Sequence, residues 1–275
     1  MPLSVVDLYK KILPKTNCGD CGYPTCLAFA GMVVSEKLPL KKCPYIELAV
    51  LSKAQAELDK QHADGKWTKK DMAADALAWA KERAASMNIN DLPERIGGVL
   101  REDNAGVYLE LPYFSDSIII RTEKIQKKDG TDLNRWEQVF VYNHMAQGGF
   151  AIPTGNWKGL EAIPNTISKM KSMKAHVEAP LLERFTGRPD KLKRAATAIG
   201  ARDHSETFPT ADVAAYLLPL PRIPIMLLFW DADPADGFDA EIKLLFDETI
   251  VEHLDVESIM FLSERIRQLL RGDKM

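Results

Sequence analysis

The feature that most constrains this chain is the position of its cysteines. The 275-residue sequence contains four, all within the first 43 positions and at the spacing C-x2-C-x4-C-x16-C. They are Cys18, Cys21, Cys26 and Cys43. Three of the cysteines lie in a short loop, and the fourth comes from a later segment of the chain. Four thiolates arranged in this way suit a tetrahedral Zn²⁺ ion or an iron–sulfur cluster, because both bind soft anionic sulfur. The sequence therefore predicts one metal centre, which we call the four-cysteine site.

The residues around these cysteines favour a cluster over zinc. Gly19 and Gly22 allow the backbone to bend closely around a metal, and Pro44 directly follows the last cysteine, as is common beside ferredoxin-type ligands. Structural zinc usually uses two C-x2-C pairs, and this sequence has one. Zinc, a disulfide pair and free thiols stay open as alternatives, since spacing constrains a metal without identifying it.

Residues 17–44 carry a resemblance to a known module. They resemble the small [4Fe–4S] module at the N-terminus of the large subunit of the corrinoid iron–sulfur protein of anaerobic one-carbon metabolism. The same module is present in a ferredoxin-like subunit of Rnf electron-transport complexes. The resemblance implies that the four cysteines bind one cubane cluster with a low-potential role in anaerobic metabolism.

The periodicity of the chain predicts an α+β protein of two domains. Helical patterns continue to about residue 87, Asn, Asp, Pro and Gly interrupt them over residues 88–98, and strand-like runs follow. We expect a small helical cluster-binding module, a helical connector, and a larger domain with an antiparallel or mixed sheet and flanking helices. Their predicted limits are residues 1–60, 61–97 and 98–275.

Individual elements are predicted from the same patterns. Helices are expected over residues 3–13, 25–37, 135–145, 167–185 with a kink at Pro180, 191–199 and 258–270. Strands are expected over residues 107–111, 117–121, 211–218, 225–230 and 242–246. Pro219, Pro221 and Pro224 interrupt the longest apolar run and exclude a membrane-spanning helix there.

Charge and missing motifs narrow the function further. The formal net charge is −3, from 36 basic and 39 acidic residues. The overall charge of the protein therefore does not favour binding to nucleic acid, which is itself negative. The N-terminal residues lack the apolar region of a secretory signal, which predicts a cytoplasmic protein and agrees with thiols used for metal binding. The sequence contains neither a phosphate-binding G-x-x-x-x-G-K-[ST] loop nor a dinucleotide-binding G-x-G-x-x-G turn.

A second, weaker resemblance covers the C-terminal part. The segments that carry it are Gly155-Asn-Trp157, the helix with His176 and Pro180-Leu181, Leu218-Pro-Leu-Pro221, and Leu244-Leu-Phe-Asp247. They resemble domain of unknown function 3786, found in anaerobes and sometimes behind this same cluster module. The resemblance implies a fold and no mechanism.

A cofactor or partner site is predicted near His144, Trp157 and His176. Hydrogen-bonding groups, a Gly148-Gly149 pair and a large ring lie close together in this part of the sequence, a mixture typical of pockets. A corrinoid or other tetrapyrrole is the expected cofactor. The alternative is that Trp157 caps the core and both histidines are satisfied within it.

The resulting hypothesis is an oxygen-sensitive iron–sulfur protein. One [4Fe–4S] cluster would pass single electrons to or from a redox partner protein, or a tetrapyrrole held by the second domain or by that partner. The alternatives are a cluster-based redox sensor that switches a protein-binding surface, and an enzyme with a pocket in the second domain. The sequence leaves open whether the protein is an enzyme.

Overall fold

The computed structural model of the protein describes residues 3–64, 72–122 and 124–273. The chain divides into two compact units, Met1–Met72 and Ala73–Met275. The first unit is helical and the second contains helices and two antiparallel sheets, so the predicted α+β class is confirmed. The domain limits expected from the sequence, 1–60, 61–97 and 98–275, stay predictions.

The first unit is built from short helices around a small core. Its elements are α1 (Val5–Asp7), a π-helical turn (Leu8–Ile12), α2 (Cys26–Ser35), a 3-10 turn (Leu40–Lys42) and α3 (Leu48–Ala63). The side chains of Ser4 and Asp7 form a reciprocal capping box that starts α1. The buried residues of this core are Leu8, Leu13, Cys26, Phe29, Ala30, Val33, Val34, Leu40, Cys43, Ile46, Ala54 and Leu58. Two members of this core are therefore cysteines of the predicted site.

The second unit contains more elements, which follow the predicted order. The helices are α4 (Met72–Ala85), α5 (Leu92–Ile96), α6 (Arg135–Gln147), α7 (Ile167–Met173), α8 (Ala179–Phe185), α9 (Pro189–Ala198) and α10 (Val256–Arg271). The strands are β1 (Val99–Asp103), β2 (Gly106–Tyr113), β3 (Asp116–Ile120), β4 (Ile125–Lys127), β5 (Trp157–Lys158), β6 (Arg202–Asp203), β7 (Val213–Leu220), β8 (Ile223–Trp230) and β9 (Glu241–Asp247). Short α5 lies inside the segment 88–98 that was predicted as a break.

The two sheets of this unit are both antiparallel. The first has the order β1-β2-β3-β4, and its paired strands β2 and β3 correspond to the strands predicted over residues 107–111 and 117–121. The second has the order β5-β9-β8-β7-β6. Strand β7 runs through Pro219 with a register irregularity between Leu217 and Leu220, and the Pro219 carbonyl accepts a hydrogen bond from the Phe114 amide (3.0 Å). Pro219 and Pro224 therefore lie within β7 and β8, whereas Pro221 lies in the turn between these strands.

Helices α6 and α10 form much of the packing in the second unit. The rings of Trp136 and Phe261 stack with their centroids 4.3 Å apart. Beneath them, Arg265 Nε lies 2.7 Å from Glu137 Oε1, and the Tyr113 hydroxyl donates to the same carboxylate (2.8 Å). All three side chains are buried. A π-helical turn (Lys174–Glu178) lies between α7 and α8, and Pro180 is in the first turn of α8. Over the described ranges, no helix is both long enough and apolar enough to cross a bilayer.

Candidate metal centre

Helix α2 positions Cys26 at its first residue. Thr25 caps the helix, because its hydroxyl accepts a hydrogen bond from the Ala28 amide (3.1 Å). The Cys26 amide donates to the side-chain oxygen of Asn17 (2.8 Å). The positive end of the helix dipole therefore lies beside the Cys26 sulfur, where it favours negative charge.

The loop before α2 contains Cys18 and Cys21 together with two glycines in the left-handed backbone conformation. Gly19 and Gly22 have φ values of 84° and 85°, and the Gly22 amide donates to the Gly19 carbonyl (2.8 Å). A Cβ atom at either position would meet no atom within 4 Å, so the backbone angle and not crowding requires glycine. Asn17 is also left-handed, with φ 52°, a conformation that asparagine tolerates better than most residues. The tight loop predicted from the glycines is confirmed.

The last cysteine, Cys43, directly follows the 3-10 turn Leu40–Lys42. The Cys43 amide donates to the Leu40 carbonyl (3.0 Å), and the Leu40 amide donates to the Gln55 side chain of α3 (2.9 Å). Leu40 is fully buried, whereas Lys41 and Lys42 are exposed. Helix α3 therefore anchors the return segment through one buried leucine and one hydrogen bond.

Exposure decreases across the four-cysteine site. Cys18 is exposed and Cys21 is half-buried, while Cys26 and Cys43 are buried. Burial raises the pKa of the Cys43 thiol, the Tyr45 amide lowers it by hydrogen bonding, and the charges of the other three cysteines raise it further. The charges of Cys18, Cys21 and Cys26 thus disfavour ionisation of the Cys43 thiol. A metal ion bound to thiolates compensates their negative charge.

The donor set of the site suits an iron–sulfur cluster. It consists of four thiols on a glycine-containing loop, a helix start and a return turn, which are the ligands that a [4Fe–4S] cubane uses. Over residues 3–64, 72–122 and 124–273, no three His, Cys, Asp or Glu side chains are grouped so that they could hold a metal ion. Convergence of all four sulfurs on one cubane stays a prediction.

Three neighbours of the cysteines were not identified from the sequence. Asn17 binds the Cys26 amide, and the Tyr45 hydroxyl donates to Asp20 Oδ2 (2.5 Å). Asn17 could have been predicted, because an asparagine in a loop often forms a hydrogen bond with a nearby backbone group. No such signal exists for Asp20 and Tyr45, which lie 25 residues apart.

In the second unit, His144 is fully buried in α6. Its Nδ1 donates to the His253 carbonyl (3.2 Å), and the two imidazole rings lie edge to face with centroids 5.5 Å apart. Burial lowers the pKa of His144 to about 3, so the ring is neutral at physiological pH. His253 is buried as well, its Nε2 donates to the Ala151 carbonyl (3.0 Å), and burial lowers its pKa.

Trp157 and His176 have different surroundings. Trp157 lies in edge strand β5 and packs edge to face on Tyr216, with centroids 6.1 Å apart, beside a small buried cluster on one face of the five-stranded sheet. His176 is exposed in the π-helical turn, so it is not a histidine satisfied within the core. In the described part of the chain, no hydrogen bond or ring contact joins His144, Trp157 and His176. Their role as a cofactor site stays a prediction.

Comparison with family models gives two matches. A model described as "Putative Fe-S cluster" matches residues 13–45, which include all four cysteines. A model described as "Domain of unknown function (DUF3786)" matches residues 88–268. Both resemblances noted in the sequence are thus confirmed.

Curated relatives match the N-terminal segment. The corrinoid/iron–sulfur protein large subunit of Moorella thermoacetica is 56% identical over 46 residues, covering 17% of this chain and 10% of the relative. The acetyl-CoA decarbonylase/synthase complex subunit gamma of Methanocaldococcus jannaschii is 38% identical over 56 residues, covering 20% and 11%. The chain thus spans about a tenth of the length of these relatives. No solved structure matches the chain.

Proposed function

The chain belongs to the DUF3786 family, a domain of unknown function, and we propose that the unit preceding this domain makes it an iron–sulfur electron-transfer protein. The four-cysteine site would hold one [4Fe–4S] cluster. The observation that carries the proposal is the match of an Fe–S cluster model to residues 13–45, which include all four cysteines.

The residues of the first unit have distinct tasks in this proposal. Cys26 and Cys43 bind the cluster from the apolar core, while Cys18 and Cys21 bind it from the loop at the surface. The bound cluster supplies one-electron redox chemistry at a potential set by burial, nearby charge and hydrogen bonds to sulfur. Exposure of Cys18 gives the cluster one edge near solvent, where a redox partner protein can approach.

The electron acceptor in this proposal is a corrinoid or another tetrapyrrole, held by a partner or by the second unit. The similarity to a corrinoid/iron–sulfur protein subunit supports a low-potential role in anaerobic metabolism, and the thiol ligands suit a reducing cytoplasm. Trp157 and Tyr216 supply a ring surface for a flat cofactor. Only Nε2 of His144 is available to bind a metal, because Nδ1 donates a hydrogen bond to the His253 carbonyl. Nε2 has no hydrogen-bond partner among the described residues.

The proposal is tested by anaerobic single-turnover kinetics. The purified protein is reduced with dithionite, desalted and mixed with cob(III)alamin, cob(II)alamin or haem, and both chromophores are followed by absorbance. We expect reoxidation of the cluster together with stoichiometric reduction of at least one acceptor. A reduced cluster that transfers no electron to any of the three would contradict the tetrapyrrole acceptor.

The matched variants are Cys26→Ser and Ser52→Ala. Cys26→Ser removes a buried ligand, while Ser52→Ala changes an exposed side chain of α3 in the same unit. We expect electron transfer to be lost in the first variant and unchanged in the second. Equal activity in Cys26→Ser would assign the redox chemistry to another part of the protein.

A further inference from the structure

A hydrogen bond spans the exposed edge of the four-cysteine site. The Tyr45 hydroxyl donates to Asp20 Oδ2 at 2.5 Å, and the Tyr45 side chain is 58% exposed. Asp20 lies between Cys18 and Cys21, and Tyr45 lies two residues after Cys43. The bond therefore connects the first ligand loop to the return segment.

The Tyr45 ring lies close to two of the proposed ligands. Its pKa is raised chiefly by the hydrogen bond to Asp20 and by the charge of that carboxylate. The charges of Cys18 and Cys43 raise it further. Because its hydroxyl bonds to Asp20, the Tyr45 side chain extends from the Cys43 segment to the loop that carries Cys18 and Cys21.

Few hydrogen bonds join the two segments. Within the described residues, the Asp20–Tyr45 pair is the hydrogen bond that joins residues 17–23 to residues 40–47. The loop is otherwise fixed to the start of α2 through Asn17 and to itself through Gly19 and Gly22. The space beside both glycines is open, whereas Cys21 and Tyr23 of the same loop pack against the core of the unit.

We infer that Asp20 and Tyr45 form a latch that retains and shields the cluster. The inference rests on the proposed function and adds two positioning residues to it. The hydroxyl bond holds the Cys18–Cys21 loop against the Cys43 segment, and the ring limits the access of water and chelators. The Asp20 carboxylate also acts on the potential, because reduction adds a negative charge to the cluster and a nearby anion disfavours it.

Two conservative variants separate these roles. Tyr45→Phe keeps the ring and deletes the hydrogen bond, whereas Asp20→Asn keeps an oxygen acceptor and deletes the charge. Tyr9→Phe is the matched control, because Tyr9 is a partly buried tyrosine of the same unit. Both substitutions at the latch change exposed side chains, so the fold should be retained.

The readouts are iron release to an anaerobic chelator and the midpoint potential of the loaded, full-length protein. For Tyr45→Phe we expect iron release about fivefold faster, the ratio that one net hydrogen bond supplies. For Asp20→Asn we expect a more positive potential and a release rate within about twofold of the wild type, since its acceptor is retained. Tyr9→Phe should match the wild type in both readouts.

The possible failures are distinguishable. A wild-type protein that binds no cluster would overturn the proposed function, and the latch with it. A loaded wild type whose Tyr45→Phe variant releases iron at an unchanged rate would overturn the latch alone. An unchanged potential in Asp20→Asn would remove the electrostatic role of Asp20.

Discussion

The two units of this protein bury polar groups in opposite ways. In the first unit, two cysteines of the proposed site are part of a small core, and the other two are at or near the surface. In the second unit, the buried polar side chains are largely paired within the protein, as in the Glu137, Arg265 and Tyr113 group. We therefore expect the first unit to depend on the proposed cluster, whereas the second is stabilised by its own packing.

Because of this difference, we expect substitutions in one unit to destabilise that unit and not the other. A small domain buries too little apolar surface to be stable without a metal, a disulfide or a partner. A larger unit with two sheets and packed helices has its own core. The predictions that follow test whether the two units depend on different sources of stability.

The largest effect is expected from removal of a buried cysteine. Cys26→Ala should abolish cluster binding and unfold most of residues 1–60, because metal ligation replaces part of the core there. Hydrogen exchange measured by mass spectrometry should show lost protection in that region and unchanged protection in residues 98–275. Loss of protection throughout the chain would contradict the independence of the two units.

The next effect concerns the buried ion pair of the second unit. Arg265→Met leaves the Glu137 carboxylate buried without its cation, which typically costs about 3–5 kcal/mol. Urea unfolding of the second unit, followed by tryptophan fluorescence, should show this loss, and the cluster absorbance should not change. The double variant Glu137→Gln/Arg265→Met is the control, since it removes the unpaired charge and should recover part of the stability.

A smaller effect is expected from acid. The pKa of His144 is lowered to about 3 in the folded protein, below the ordinary value of 6.5, so the unfolded chain binds a proton that the folded chain does not. Stability should therefore be complete above about pH 6.5 and decrease as the pH falls towards 3, by about 1 kcal/mol per pH unit for one group. Arg95, Arg222 and His253 act in the same direction by disfavouring a charged ring.

The measurement is urea unfolding of the second unit at several pH values. The lowered pKa of His253 contributes a decrease of the same sign as the pH falls. In His144→Gln the free energy of unfolding should fall less steeply with decreasing pH, because the variant takes up about one proton fewer on unfolding. An identical pH dependence in that variant would show that His144 is not the buried neutral group of the structure.

The smallest effect concerns the anchor of the return segment. Gln55→Ala deletes the acceptor of the Leu40 amide and should cost about 1 kcal/mol in the first unit only. Thermal release of the cluster, followed by absorbance, measures it. Asp59→Asn is the matched control, because Asp59 binds the amide group of Gln55 and does not touch Leu40. A cluster that is equally labile in both variants would show that the anchor has no specific role.

The parts of the fold that were predicted from the sequence have strong local signals. The helix that begins at Cys26, the β2–β3 hairpin and the closing helix α10 each follow from caps, glycines or apolar periodicity. Strands β5 and β6 were missed because each is two residues long and defined by pairing with a distant strand. The Asp20–Tyr45 bond was missed for the same reason, since neither residue type signals the other over 25 positions.

The candidate site shows the same division. The identity of the four cysteines follows from their spacing alone, and their spread from exposed Cys18 to buried Cys43 required the structure. His144 is buried and hydrogen-bonded, as the alternative interpretation of the sequence expected, whereas His176 is exposed because it lies on the outer side of a π-helical turn.

The central claim, that Cys18, Cys21, Cys26 and Cys43 hold one [4Fe–4S] cluster, is tested most directly by composition and spectroscopy. Full-length protein purified without oxygen is analysed for iron, zinc and acid-labile sulfide, and the dithionite-reduced sample is examined by electron paramagnetic resonance. We expect four iron and four sulfide per chain and a spin-one-half signal on reduction. One zinc per chain with no sulfide, or four free thiols in the anaerobic protein, would contradict the claim.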